Sequence, residues 1–194
     1  SRHQNFNKKR SVLKNTVNND STNQTCLVVP EGSYKECNIL FSFSIDCAKI
    51  LDNTKFIWRV HPSMNYSIIL KNDKFKQLPK NIEISTKNLN EDFSRSNWVL
   101  YRNSTTVLNA ISYKLKPIYF KLLNEINTDP LDDISKWHCS VKNTKEFKKI
   151  IIVNDKKKWS NKNWLIANNH CNNYFQQFNS KVLIKIIKKN NYIK

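Results

Sequence analysis

The chain has one glycine in 194 residues. That scarcity excludes the phosphate loops of the Walker and dinucleotide types, which place several glycines at fixed offsets so that backbone can approach a phosphate. Any phosphate bound here must be held by side chains and helix N-termini instead. Acidic residues are also few, 15 against 33 lysines and arginines, for a formal net charge of +18. The five cysteines include no CxxC pair, so neither a disulfide framework nor a zinc site is expected, and a reducing cytosol fits best. His170 and Cys171 are adjacent, yet no second ligand pair stands at metal spacing, and no metal is expected. The Asn-x-Ser/Thr triplets at Asn23, Asn65 and Asn103 are what chance gives in so asparagine-rich a chain. There is no signal peptide and no apolar run long enough to span a bilayer, so the expected location is cytoplasmic. The chain opens "SRHQNF" without a methionine and reads as a piece of a larger protein.

What is present suffices for one core. Hydrophobic residues make up 39% and aromatics 11%, at a length that suits one domain with ragged ends. Heavy use of lysine, asparagine and isoleucine fits an AT-rich bacterial coding sequence, which inflates the charge. The surplus is uneven: Lys145, Lys148, Lys149, Lys156, Lys157, Lys158, Lys162, Lys181, Lys185, Lys188, Lys189 and Lys194 face only Glu146 and Asp155. Such a surface is either a solvated face or an attractor of anions. The lysines flank apolar stretches, as in a helix lying on an anionic membrane, so the protein is expected to sit peripherally at the inner face of that membrane. A nucleic-acid partner, which would want aromatics interleaved with lysine, is not expected.

Residues 1–24 are polar and read as a linker or interdomain segment; 25–152 carry the periodic elements; 153–194 read as closing helices and a basic tail. "TCLVVPEG" is a short strand, followed by a helix whose Cys37, Leu40, Phe41, Ser44, Cys47, Ala48 and Leu51 share one face. Ser33 and Glu36 form a capping-box pattern at its start. "KFIWRV", "NIEIS", "NWVLYR" and "KPIYF" are further strands, with a helix over 104–115, and Trp58, Trp98 and Tyr101 belong to the core. "NEINTDPLDDISKWHCS" reads as a surface loop, and "NTKEFKKIII" and "NKNWLIANNHCNNYFQQF" as helices. Near-continuous apolar strands separated by helices predict an α/β fold, a Rossmann-like parallel sheet flanked by helices.

Parallel strands put their carboxyl ends on one side, so three junctions converge: Glu31-Gly32, His61-Pro62 and Arg102-Asn103-Ser104-Thr105. Proline ends the second strand and holds His61 extended at that edge. Arg59, two residues earlier, shares a face with His61. Ser104 and Thr105 open a helix, where a hydroxyl either caps the first turn or binds an anion. Glu31 either accepts from a ribose or base group or faces solvent.

The order strand–"PEG"–helix, "WRVHP", then "NWVLYRNSTTVLNAISYKLKPIYF" resembles the carboxyl-terminal nucleotide-binding half of bacterial GT-B glycosyltransferases. It is most similar to the sialyl- and Kdo-transferases, which build capsule and lipopolysaccharide from CMP-activated sugars. The resemblance covers residues 25–152 and makes them a donor-nucleotide-binding domain, one half of a GT-B fold. It implies that His61-Pro62 and Ser104-Thr105 bind the CMP of the donor, with Asn103, Glu31, Gly32 and Arg59 around it. It implies transfer of Kdo or sialic acid to a growing surface polysaccharide or glycolipid, with no metal and no cofactor beyond the CMP-sugar substrate. Two departures stand out. The family has two Rossmann-like domains and usually draws its catalytic base from the amino-terminal one, so the base is unassigned here, with Glu31 the first candidate. A glycine commonly precedes the strand that "KPIYF" matches, where this chain has "SYKLKP". The alternatives are a CDP-glycerol or CDP-ribitol phosphotransferase of the teichoic type, and a basic nucleic-acid-binding module without enzymatic activity.

Overall fold

The structure is a computed structural model that describes residues 24–174 together with 180, 181 and 184. The expected linker up to residue 23 and nearly all of the basic tail lie outside the described residues. Among the described residues, six apolar segments form parallel strands: β1 (Gln24–Pro30), β2 (Thr54–Trp58), β3 (Ile82–Ile84), β4 (Trp98–Arg102), β5 (Lys116–Phe120) and β6 (Cys139–Val141). They are ordered β3-β2-β1-β4-β5-β6. The chain therefore winds outward in one direction from β1 and then in the other from β4. The expected Rossmann-like α/β sheet is what forms.

Alternation along the strands divides the core between two faces. Cys26 and Val28 of β1 pack under α1 (Tyr34–Ala48) and α5 (Thr144–Val153), while Leu27 and Val29 pack with α4 (Thr106–Ser112) and α6 (Asn161–Tyr174). Trp164, Ala167 and Cys171 of α6 are buried in that second cluster, so the core continues past residue 152. Trp58 centres the first cluster. It stacks on Phe41 at 4.2 Å, meets Phe75 edge-on at 5.5 Å, and donates its indole N–H to Ser44 Oγ at 2.8 Å. Ser44 in turn donates to the Phe41 carbonyl, so this buried hydroxyl on α1 is satisfied. Cys26, Cys37 and Cys47 are fully buried, and burial with the neighbouring Glu36 pushes the Cys37 thiol up to about 11. These thiols serve as small apolar side chains.

Scarcity of glycine shows in the backbone. Among the described residues four adopt left-handed φ, and three are asparagines: Asn103 (53°), Asn124 (61°) and Asn154 (38°). Asn154 ends α5 in the manner usually left to glycine. The fourth, Lys114 (60°), sits just before β5, in the "SYKLKP" stretch where the resembled family has glycine. Exposed Lys114 has no side-chain reason to tolerate this geometry. Lys114→Gly is expected to stabilise by about 0.5–1 kcal/mol, the left-handed penalty less glycine's entropy. Urea denaturation checks this; equal or lower stability would contradict it.

Several elements differ from expectation. The strand expected to run to Val60 stops at Trp58, because its neighbours leave it there. Ser85 N–H to the Trp58 carbonyl and Arg59 N–H to the Val28 carbonyl are its last ladder bonds. Proline is thus not what ends β2. The helix expected over 104–115 is shorter, Thr106–Ser112. The segment read as a surface loop contains the 3₁₀ turn Asp132–Ile134 and all but the last residue of β6. Helices α2 (Tyr66–Ile69) and α3 (Leu89–Ser94) were not expected at all.

Candidate functional site

The crossovers diverge between β1 and β4, the point at which an open α/β sheet leaves a crevice at the carboxyl ends of its strands. Register places Pro30 beside Arg102, and the turns carrying Glu31–Ser33 and Asn103–Thr105 leave from neighbouring strands. The turn after β2 reaches the same edge. A Cβ built on Gly32 would lie 2.9 Å from His61 Nδ1 and 3.0 Å from Cγ, so the chain's only glycine packs against this imidazole. Its φ is not left-handed, so space and not backbone conformation requires glycine here.

His61 is partly exposed. Its Nδ1 accepts from the Ser63 backbone N–H at 3.2 Å and lies 2.7 Å from Ser63 Oγ. That acceptor role puts the proton of the neutral ring on Nε2. Pro62 is exposed beside it. Arg59 turns away from the imidazole, and its Nη1 pairs with Asp92 Oδ2 at 2.7 Å and donates to the Lys87 carbonyl. Asp92 is fully buried on α3 and also accepts from Ser85 Oγ and Arg95. Nothing local to "NEDFS" marks Asp92 as this hub.

Beyond β4, the left-handed Asn103 turns the chain into α4. Its Oδ1 accepts from Tyr119 Oη at 3.4 Å and from Thr128 Oγ1. Ser104 is nearly buried and Thr105 exposed. Thr105 occupies the N-cap position in αR geometry without a side-chain capping bond, so neither hydroxyl is used as a cap. Glu31 is exposed, and its carbonyl, not its carboxylate, accepts from Ser33 N–H.

The capping box is only half formed. Ser33 Oγ accepts from the Glu36 N–H, but the Glu36 carboxylate turns to Arg102 Nε at 2.6 Å. Both partners are buried, and Arg102 Nη2 also meets Glu125. Burial works against the guanidinium's charge, and the two carboxylates more than offset it, holding its pKa above the usual arginine value. Sequence reasoning placed Arg102 in the junction without a role. Its partners lie 66 and 23 residues away, which no local pattern reveals.

A second buried cluster supports the same edge. Asp129 accepts from Tyr101 Oη at 2.7 Å and the Leu131 N–H at 2.9 Å, and meets His138 Nε2 at 2.5 Å. Burial, then Asp129, hold the Tyr101 phenol well above its usual pKa, so it remains a donor. This network pins the segment after β5 against β4.

A concavity of about 660 Å³ lies elsewhere. Gln24, Asn53, Lys80 and Asn81 line it at the opposite, amino-terminal edge of the strands, away from every junction described above. Among the described residues no group of three or more His, Cys, Asp or Glu could hold a metal ion, and no helix is long and apolar enough to cross a membrane.

No protein-family model matches the chain, and no curated protein matches it. Solved structures do. TarM is 15% identical with a TM-score of 0.56, over 87% of this chain and 35% of TarM. The glycotransferase of kitacinnamycin is 7% identical with a TM-score of 0.55, over 86% of this chain and 43% of that one. A putative UDP-N-acetylglucosamine 2-epimerase from Listeria monocytogenes is 13% identical with a TM-score of 0.51, over 89% of this chain and 47% of the epimerase. The chain spans less than half the length of each. At such identities the likeness is one of fold: six parallel strands flanked by helices, the Rossmann-like half of a GT-B architecture.

Proposed function

We propose that the chain is the donor-binding half of a glycosyltransferase, taking Kdo or sialic acid from a CMP-activated donor toward a surface polysaccharide or lipopolysaccharide. The GT-B-like fold supports the class, since glycosyltransferases are among the proteins that share it. The observation that carries the site is the packing of Gly32 against His61, at the edge where Ser104 and Thr105 keep their hydroxyls out of capping.

A CMP-sugar has a single phosphate, whose negative charge grows as the sugar leaves. The Nε2–H of His61 and the hydroxyls of Ser104 and Thr105 can donate to that charge from fixed positions. Holding Nδ1 on the Ser63 N–H keeps the proton on the nitrogen that would face the phosphate. The catalytic base stays unassigned, with exposed Glu31 the first candidate, and the chain alone is expected to transfer no sugar. The exposed lysines of α5 and the turn after it suit an anionic acceptor or membrane face.

Calorimetric titration with CMP, UMP and GMP is the test. CMP is expected to bind tightest; equal affinities, or none in the millimolar range, would remove the CMP-sugar reading. His61→Ala is expected to weaken CMP by about 1.5–3 kcal/mol, the range for a hydrogen bond to a charged group, without lowering the melting temperature. Gly32→Ala should reproduce that loss, because the new methyl must push the imidazole aside while the backbone accepts alanine. Unchanged affinity in both variants would reduce His61 to a turn residue.

A further inference from the structure

Arg102 ends β4 at the crevice with a side chain only 4% exposed. Its Nε bonds Glu36 at 2.6 Å, its Nη1 the Phe120 carbonyl at 3.4 Å, and its Nη2 Glu125. The two carboxylates are not equivalent. Glu36 sits in the first turn of α1 with a side chain 10% exposed, whereas Glu125 belongs to the segment after β5 and is 34% exposed. A partly exposed carboxylate loses little by returning to water. The buried guanidinium cannot do the same, and an Nη2 left without an acceptor would be costly. Whatever happens to Glu125, Nη2 needs another acceptor.

We propose that Glu125 is a placeholder: it holds Arg102 Nη2 while the crevice is empty, and a phosphate group of the ligand displaces it. Arg102 is then the anion-binding cation of the site, and Glu125 sets the threshold for binding, because its own charge repels an arriving phosphate. This deepens the donor-binding reading and depends on it only for which phosphate arrives.

The surrounding segment is built for such an exchange. Residues 123–128 are all exposed, with Leu123 at 72% and Ile126 at 88%, and Asn124 provides a left-handed bend next to Glu125. The segment is fixed at both ends, by β5 at Phe120 and by buried Asp129 in its bonds to Tyr101, Leu131 and His138. Glu125 can therefore swing out without unravelling its anchors. Thr128 bonds Asn103, so the movement is felt in the turn that carries Ser104 and Thr105.

Titration with inorganic pyrophosphate and with CMP, UMP and GMP tests the exchange, using wild type, Glu125→Gln, Arg102→Lys and the double variant. Lysine keeps a positive charge beside Glu36 and so preserves the fold, with melting temperature as the control. Glu125→Gln is expected to tighten pyrophosphate and all three nucleotides about tenfold at low salt, the scale of one like charge removed at close range. Arg102→Lys should weaken all of them, and Glu125→Gln should add nothing in that background. Unchanged or weaker pyrophosphate binding by Glu125→Gln overturns the proposal, and so does an equal gain in the Arg102→Lys background. The gain without any preference for CMP supports the exchange and refutes only the CMP reading. A preference for CMP without the gain refutes the exchange alone.

Discussion

Arg102→Met is expected to cost about 3–5 kcal/mol of folding free energy, the range for breaking a buried ion pair by removing one partner. Methionine fills much of the volume, so the loss is not one of packing. Glu36 is the reason: its carboxylate lies in the first turn of α1 beneath the crevice, nearly inaccessible to water, and among the described residues Arg102 is its only ion-pair partner. Glu125, at the surface, simply rehydrates. Glu125→Ala should cost less, about 1–3 kcal/mol, because only the Arg102 Nη2 donor is left without its acceptor. Urea denaturation of the two variants separates the roles; similar costs for both would mean that Glu36 gains no more from Arg102 than a surface residue does.

Trp58→Ala is expected to cost about 3–5 kcal/mol, the range for deleting a buried aromatic. The indole fills the space between β2, α1 and the 3₁₀ turn Asp73–Phe75, with Phe41 on one face and Phe75 at its edge. Trp58→Phe should cost distinctly less, because the stacking survives and Ser44 still has the Phe41 carbonyl as a partner. Equal losses for alanine and phenylalanine would shift the weight from packing to the indole N–H bond.

The interior was legible in the sequence because burial writes itself into periodicity. The face of α1 from Cys37 to Leu51 and the runs "NWVLYR" and "KPIYF" were readable as core, and Trp58, Trp98 and Tyr101 are fully buried. β6 and α3 were not legible, since three and six residues are too short to show a period. The end of β2 was misplaced because strand length depends on what the neighbouring strands offer, which proline at position 62 does not report. Site side chains were legible by position and not by partner. His61, Gly32 and the Ser104-Thr105 pair leave from one edge, as parallel strands require. The choice of Arg102 over a helix cap by Glu36, and of Asp92 by Arg59, was made across long sequence separations. Asp129 and His138 hid in a stretch whose polarity suggested solvent; the Trp137-His138 pair within it was the one sign of burial.

The proposed nucleotide site is the crevice at the carboxyl ends of β1, β2 and β4, whereas the concavity of about 660 Å³ lies at the other edge of the sheet. Backbone amide chemical shifts followed through a CMP titration decide between them. The expected result is saturable change at residues 31–33, 61, 63, 64 and 102–106, with the amides of Gln24, Asn53, Lys80 and Asn81 unmoved. Saturable change confined to those four residues and their neighbours, with the crevice silent, would contradict the account.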